Sequence, residues 1–331
     1  MSRNENPDRL NLVLTIGVVL AGLGLFVILP LLVVQSPWWG ILVLPAVLTT
    51  PTLWALIHEA IHGRLHRDRA VNDALGRVLS ILFGCPFQLL RLGHLQHHRF
   101  NRTPLNAGEV VFGGRPGPAD RLRHHALLLG GFYLAEVLAS VLSLLPRSLY
   151  ERVVRFGFGR TDAEGRTMWS AAQVQLLRRK GRRRMRMDGA AVVLLWIASF
   201  LLYGGFWWMV ALGLALRAVI VSSFDNAYHY ANPLGVTEAG HNLSLPRWAE
   251  AWILNYNYHA VHHGRPHVPW TELPAEFARS GYTFGDRFLA AWARQLEGAH
   301  GESWFTEDHV RSDHLGQATE RERSFNPETS S

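Results

Sequence analysis

Four long stretches, residues 12–34, 38–57, 126–145 and 189–224, are mainly apolar, and polar, arginine-rich segments separate them. About 20 apolar residues cross a bilayer as a helix, so the pattern predicts an all-α integral membrane protein. The first stretch, LVLTIGVVLAGLGLFVILPLLVV, is too long for a signal-peptide core and lacks a small-residue cleavage site, which predicts a retained anchor. Gln35, Ser36 and Pro37 leave room only for a tight turn between spans 12–34 and 38–57. Residues 189–224 are expected to cross twice, as 189–204 and 205–224, bending near Tyr203, Gly204 and Gly205. Arg217 would then snorkel from the second crossing towards the interface.

Charge orients these elements. The net charge of +7 comes almost entirely from arginine, and basic residues mark cytoplasmic loops. The loop after residue 57 and the segment 147–188, with Arg147, Arg152, Arg155, Arg160 and the run Arg178 to Arg186, are both strongly basic. A single crossing by 126–145 would put them on opposite sides. That stretch is therefore expected to be re-entrant or in-plane, and Glu136 would be costly at mid-bilayer. Val78 to Leu90, only 13 residues, is expected at the interface. The predicted architecture is four transmembrane helices, a re-entrant or interfacial helix and a cytoplasmic helical cap, all one domain over 1–305. Both termini would be cytoplasmic, the cell inner membrane being the expected location. Phe288, Leu289, Trp292 and Leu296 have the spacing of an amphipathic helix, and 306–331 reads as a polar, disordered tail.

Composition then excludes several functions. A basic chain invites a nucleic-acid reading, but no recognition motif accompanies the charge. Cys85 is the only cysteine, which rules out an internal disulfide or a cysteine-ligated cluster.

The chemistry lies in histidine spacing. His58 and His62 form H-x-x-x-H; His94, His97 and His98 form H-x-x-H-H; His259, His262 and His263 repeat it; His229 stands apart. On a helix, positions i, i+3 and i+4 share a face, so each cluster offers several imidazoles to one point. One zinc takes about four ligands, fewer than these clusters supply, and the pattern points to a polynuclear site at the membrane edge. His58-Glu59-x-x-His62 alone also matches a membrane zinc metalloprotease, in which the glutamate is general base. That chemistry has no use for two further H-x-x-H-H groups.

The order of these boxes, with the second about 32 residues after the first and two apolar crossings before the third, resembles the membrane fatty acid desaturase superfamily, which includes hydroxylases and carotenoid ketolases. The resemblance covers roughly residues 40–270. It implies two non-haem iron ions, O2 as co-substrate, a lipid or acyl substrate, and a separate electron carrier of ferredoxin, rubredoxin or cytochrome type. The implied ligands are His58, His62, His94, His97, His98, His259, His262 and His263. His229 fits a further N-x-x-x-H ligand pattern, but the residue four before it is Asp225. Asp225 either binds iron, holds a ligated water or supports a ligand histidine.

Asn255, with the same spacing before His259, is expected to support a ligand from the same helix. Glu59 is a supporting candidate too, and His66 continues the first helical face. His124, His125, His241 and His267 are expected at the surface or interface. Segment 147–188 is either a topology signal or a dock for an acidic carrier. The implied reaction is desaturation of a fatty acyl chain, with hydroxylation or ketolation of a lipid or carotenoid as the alternative on the same scaffold.

Overall fold

The computed structural model describes residues 7–305, and the tail expected over 306–331 lies outside them. The fold is all-α, the only strands among the described residues being parallel two-residue pairs, Val110–Val111 with His300–Gly301 and Leu243–Ser244 with Asp286–Arg287. In chain order the helices are α1 (Asp8–Val33), α2 (Pro37–Ile61), α3 (Arg69–Phe83), α4 (Phe87–Phe100), α5 (Pro118–Leu142), α6 (Arg147–Phe158), α7 (Trp169–Ala172), α8 (Arg179–Tyr203) and α9 (Trp207–Ala227). They continue as α10 (Arg247–Trp252), α11 (His259–Gly264), α12 (Leu273–Ser280) and α13 (Phe288–Arg294). Helices α1, α2 and α5, and the run from α8 through α9, are long and apolar enough to cross a membrane.

The chain forms two compact units. One comprises residues 7–97 and Ala126–Ser223, the other His98–His125 and 224–305.

In the first unit, Leu25, Phe26, Val33, Val43, Val47, Leu82, Tyr203 and Val210 form a common core of α1, α2, α3, α8 and α9. Tyr203 Oη donates to the Leu25 carbonyl (2.9 Å), satisfying backbone where α1 widens over Gly24–Ile28. The contacts of α8 and α9 require the chain to reverse between them. Trp196 on α8 packs on Gly84, while Arg217 on α9 donates to the Leu82 carbonyl (2.8 Å). In one straight helix those side chains would start about 30 Å apart, so the chain must double back at Gly204, whose φ is +52°. Arg217 is buried rather than snorkelling to the interface.

The apolar run Val78 to Leu90 is not one interfacial helix. It contains the end of α3 and the start of α4, which meet at a 98° bend. Asp68 caps α3 at its start by accepting from Ala70 and Val71 N–H, and Gly84 ends it in the left-handed region. The last carbonyls of that helix find side-chain donors: Leu82 from Arg217, Phe83 from Tyr133 and Gly84 from Ser140. This fixes the direction in which α4 leaves.

Helix α5 is longer than the apolar stretch 126–145, because a polar turn extends it back to Pro118, and it is broken at Leu129 and Gly130. Tyr133 N–H donates to Ser222 on α9, and Ser140 and Ser143 abut Gly189 on α8. These contacts lie at comparable separations from the Gly204 reversal.

In the second unit, Tyr258, Val261, Val268 and Leu273 form a core between α11 and α12. Phe288 packs on Phe224 and Tyr228, which seats the expected amphipathic helix α13.

Candidate metal centre

In the first unit, α2 ends on the first histidine pair. His62 N–H closes on the His58 carbonyl (3.1 Å), so the last turn holds both rings on one face. Helix α4 brings His94 to them: ring centroids are 4.8 Å apart for His58–His62, 4.5 Å for His58–His94 and 5.0 Å for His62–His94. The His62 and His94 Nε2 atoms are 2.9 Å apart. The loop after His62 is fixed from two directions. Asn11 on α1 donates to the Leu65 carbonyl (2.9 Å), and Asn72 on α3 donates to the Ala60 carbonyl (2.9 Å) and accepts from Leu65 N–H. Burial first, then the Arg64 charge, lowers the His62 pKa to about 3. Its imidazole is therefore neutral at physiological pH, the form that ligates metal.

The second unit gathers five histidines. His259 and His229 approach Nε2 to Nε2 at 2.8 Å, and His262 and His98 at 3.0 Å. His263 lies among them, its ring 4.7 Å from His259, 4.9 Å from His229 and 4.3 Å from His98. Its Nδ1 faces the Thr237 carbonyl at 3.4 Å. Such a contact favours a proton on Nδ1 and leaves Nε2 for a metal. His259, His262 and His263 sit on the short helix α11, whose first N–H groups, Ala260 and Val261, donate to Asn242 Oδ1 (3.0 and 3.3 Å). Asn242 is fully buried and has no motif spacing to the boxes, so sequence gave no sign of it. Burial tests the fit to a metal: His58, His94, His229, His259, His262 and His263 are all at most 8 % exposed. Nitrogen atoms of His58, His62 and His94, and likewise of His229, His259 and His263, lie within 4.8 Å of one another. Convergent buried imidazoles of this kind suit a divalent transition metal.

His97 is on α4 with His94 and His98, its ring 5.9 Å from that of His94. Asp225 is in neither group of converging ligands. Its Oδ1 accepts from Tyr256 Oη (2.9 Å), and the Tyr256 ring packs 4.7 Å from His259. Asn255 is not on the third-box helix as expected: it precedes α11 with φ of +56° and donates to the Trp270 carbonyl (3.1 Å). Glu59 is buried, its carboxylate 3.9 Å from His58 Nδ1. His66 does not continue the α2 face, because the helix has ended; its Nδ1 accepts from Asp68 N–H (3.0 Å). His124 and His241 are buried, contrary to the surface expectation, and bond the Gln295 and Tyr230 carbonyls at 2.9 Å. His125 reaches the Arg121 and Leu296 carbonyls, and His267 is exposed.

Residues 36–294 match the fatty acid desaturase family, a span that takes in all three histidine boxes and His229. The chain belongs to the fatty acid desaturase family. No curated protein and no solved structure matches it. Membership of this desaturase family implies a membrane oxidoreductase of the desaturase or hydroxylase kind, and the histidine clusters suggest a metal site.

Two supports of His229 went unseen in the sequence. Arg102 and Glu109, 1 % and 2 % exposed, form a buried ion pair. Arg102 also donates to the His229 (3.2 Å) and Asn232 (2.7 Å) carbonyls, and Glu109 accepts from Ala231 N–H (3.3 Å). A charged pair inside a loop of mixed composition gives no periodic signal.

Proposed function

We propose that this chain is a non-haem di-iron enzyme that desaturates a fatty acyl chain or related lipid, using O2 and electrons from a separate carrier. The box histidines and His229, converging as His58, His62 and His94 in one unit and as His98, His229, His259, His262 and His263 in the other, carry the reading in a desaturase-family chain. We assign His58, His62 and His94 to one iron and His229, His259 and His263 to the other, with His97, His98 and His262 as the further box ligands. Helix α4 supports this division, since adjacent residues on a helix diverge by about 100° and His97 and His98 can serve different ions. Asp225 is assigned to orienting His259 through Tyr256 rather than to direct ligation.

When bound, two irons supply the oxidising power, with dioxygen, to take hydrogen from an unactivated methylene. The protein's own residues hold and orient the donors. Burial keeps His62 neutral, Asn242 fixes the start of α11, and the Arg102–Glu109 pair grips the loop behind His229. With a lone buried cysteine, the chain has no cluster of its own to deliver electrons, so a ferredoxin, rubredoxin or cytochrome-type carrier supplies them. The boxes and both termini face the cytoplasm, α8 and α9 cross as a hairpin, and the apolar part of α5 lies in-plane or re-entrant.

Expression in a host lacking the activity, followed by lipid profiling, tests the reading. A new double bond is expected, lost in His97→Ala together with iron but kept in His66→Ala. A new hydroxyl or keto group would move the assignment to the alternative outcome on the same scaffold. An enzyme purified with zinc and no iron would overturn it in favour of hydrolysis at His58-Glu59-x-x-His62.

A further inference from the structure

The basic segment left open by the sequence has a definite geometry on α8. Arg179, Arg183 and Arg186 are exposed and follow at i, i+4 and i+7, so they share one face. The opposite face, Gly181, Met185 and Asp188, is buried. Continuing along the exposed stripe, the same face presents Leu194 (66 % exposed), Ile197 (52 %) and Leu201 (75 %). One unbroken helical stripe thus changes from cationic to apolar within about two turns. Beside it, α6 turns Leu149, Arg152 and Phe156 outward on one face, Phe156 being 89 % exposed, while Tyr150 and Val154 pack with Met185 of α8. Among the described residues, Arg152, Arg179, Arg183 and Arg186 form no ion pair with an acidic side chain. Arg179 also stands in the first turn of α8, where the macrodipole disfavours positive charge. An external anion would offset that cost.

We propose that this face binds the phosphate headgroups of anionic lipids. Leu194, Ile197 and Leu201 are accounted for by acyl chains alongside a membrane-length helix. Arg186, about two turns before Leu194 on that stripe, lies at headgroup depth, and Arg183 and Arg179 follow about one and two turns further out, since helix rise is about 1.5 Å per residue. Phe156 and Leu149 on α6 add the apolar anchors of an interfacial helix. An acidic soluble protein would have to displace lipid from this stripe to reach the same arginines. The inference depends on the membrane fold and not on the iron assignment, so it stands or fails separately from the proposed reaction.

The full-length protein in phosphatidylcholine vesicles containing a minor fraction of phosphatidylglycerol provides the test, with the association of spin-labelled phosphatidylglycerol and phosphatidylcholine compared. The unmodified protein should prefer the anionic lipid by about tenfold at low salt, and added salt should erode that preference. The triple variant R179Q/R183Q/R186Q should bind both lipids nearly equally, while R179K/R183K/R186K should keep the preference. Absence of a preference in the unmodified protein, or its full retention in the glutamine variant, would overturn the proposal. A glutamine variant that kept its lipid preference but took electrons more slowly from an acidic redox carrier would make this face a protein dock instead. Salt dependence in the unmodified protein gives an answer even if the glutamine variant fails to fold.

Discussion

Arg102→Met removes the cation from the buried pair behind His229. In the native structure the guanidinium meets Glu109, the His229 carbonyl and the Asn232 carbonyl, all in an environment that leaves Arg102 1 % exposed. Methionine fills much of the same volume, so the packing change is small and the electrostatic change is large. Glu109 is left as a buried carboxylate that accepts from the Ala231 N–H of the loop at 3.3 Å, and the two carbonyls lose charged donors. Breaking a buried pair from one side costs about 3–5 kcal/mol, or roughly two to three and a half orders of magnitude in the equilibrium that keeps this loop closed. Because His229 is in the loop, the loss should appear first at its proposed iron. Iron measured per purified chain should fall from near two towards one, with a lower thermal midpoint. Replacing both partners, R102M/E109L, removes the uncompensated charge and should recover much of the stability. Full iron and an unchanged midpoint in the single variant, or a double variant no better than the single, would refute the reasoning.

Three further outcomes are expected. Since burial lowers the His62 pKa from 6.5 to about 3, its contribution to metal-free stability should be full above about pH 6.5 and be lost on acidification towards pH 3, because the unfolded chain binds the proton more readily; thermal melts of the metal-free protein against pH should lose part of that slope in His62→Gln, and an identical slope would exclude the cause. Tyr256→Phe deletes the bond to Asp225 and should lower turnover about tenfold with iron retained, chiefly in kcat, whereas an unchanged pH profile and kcat would remove Asp225 from the support of His259. Gly189→Val would place a Cβ 2.5 Å from the Ser140 carbonyl, costing about 1–3 kcal/mol and lowering the thermal midpoint in detergent, while Gly17→Ala, with open space around it, should be tolerated.

The membrane architecture and most of the site were legible because both depend on local spacing. A run of apolar residues long enough to span does so wherever it occurs, and i, i+3, i+4 histidines share a face on any helix. Residues 35–37 and 203–205 were readable as reversals because so few residues separated long apolar runs. The misplaced residues depended on where helices end. His66 left the α2 face because the helix stops at Ile61, and Asn255 left the third-box helix because α11 begins only at His259. His124 and His241 looked like surface residues in the absence of partners at helical spacing, yet each meets a carbonyl distant in sequence or across a turn.

The sequence by itself determined an all-α membrane chain carrying clustered histidines, since a periodicity of 3.6 residues and a bilayer's thickness are properties of short segments. Tertiary structure alone decided that α3 and α4 meet at 98° and that Arg217 caps a helix end. It also decided that Tyr256 takes Asp225 and that Arg102 and Glu109 grip the His229 loop. Each of those rests on a partner far along the chain, and a hydrogen bond or buried ion pair between remote residues leaves no period in the sequence that makes it.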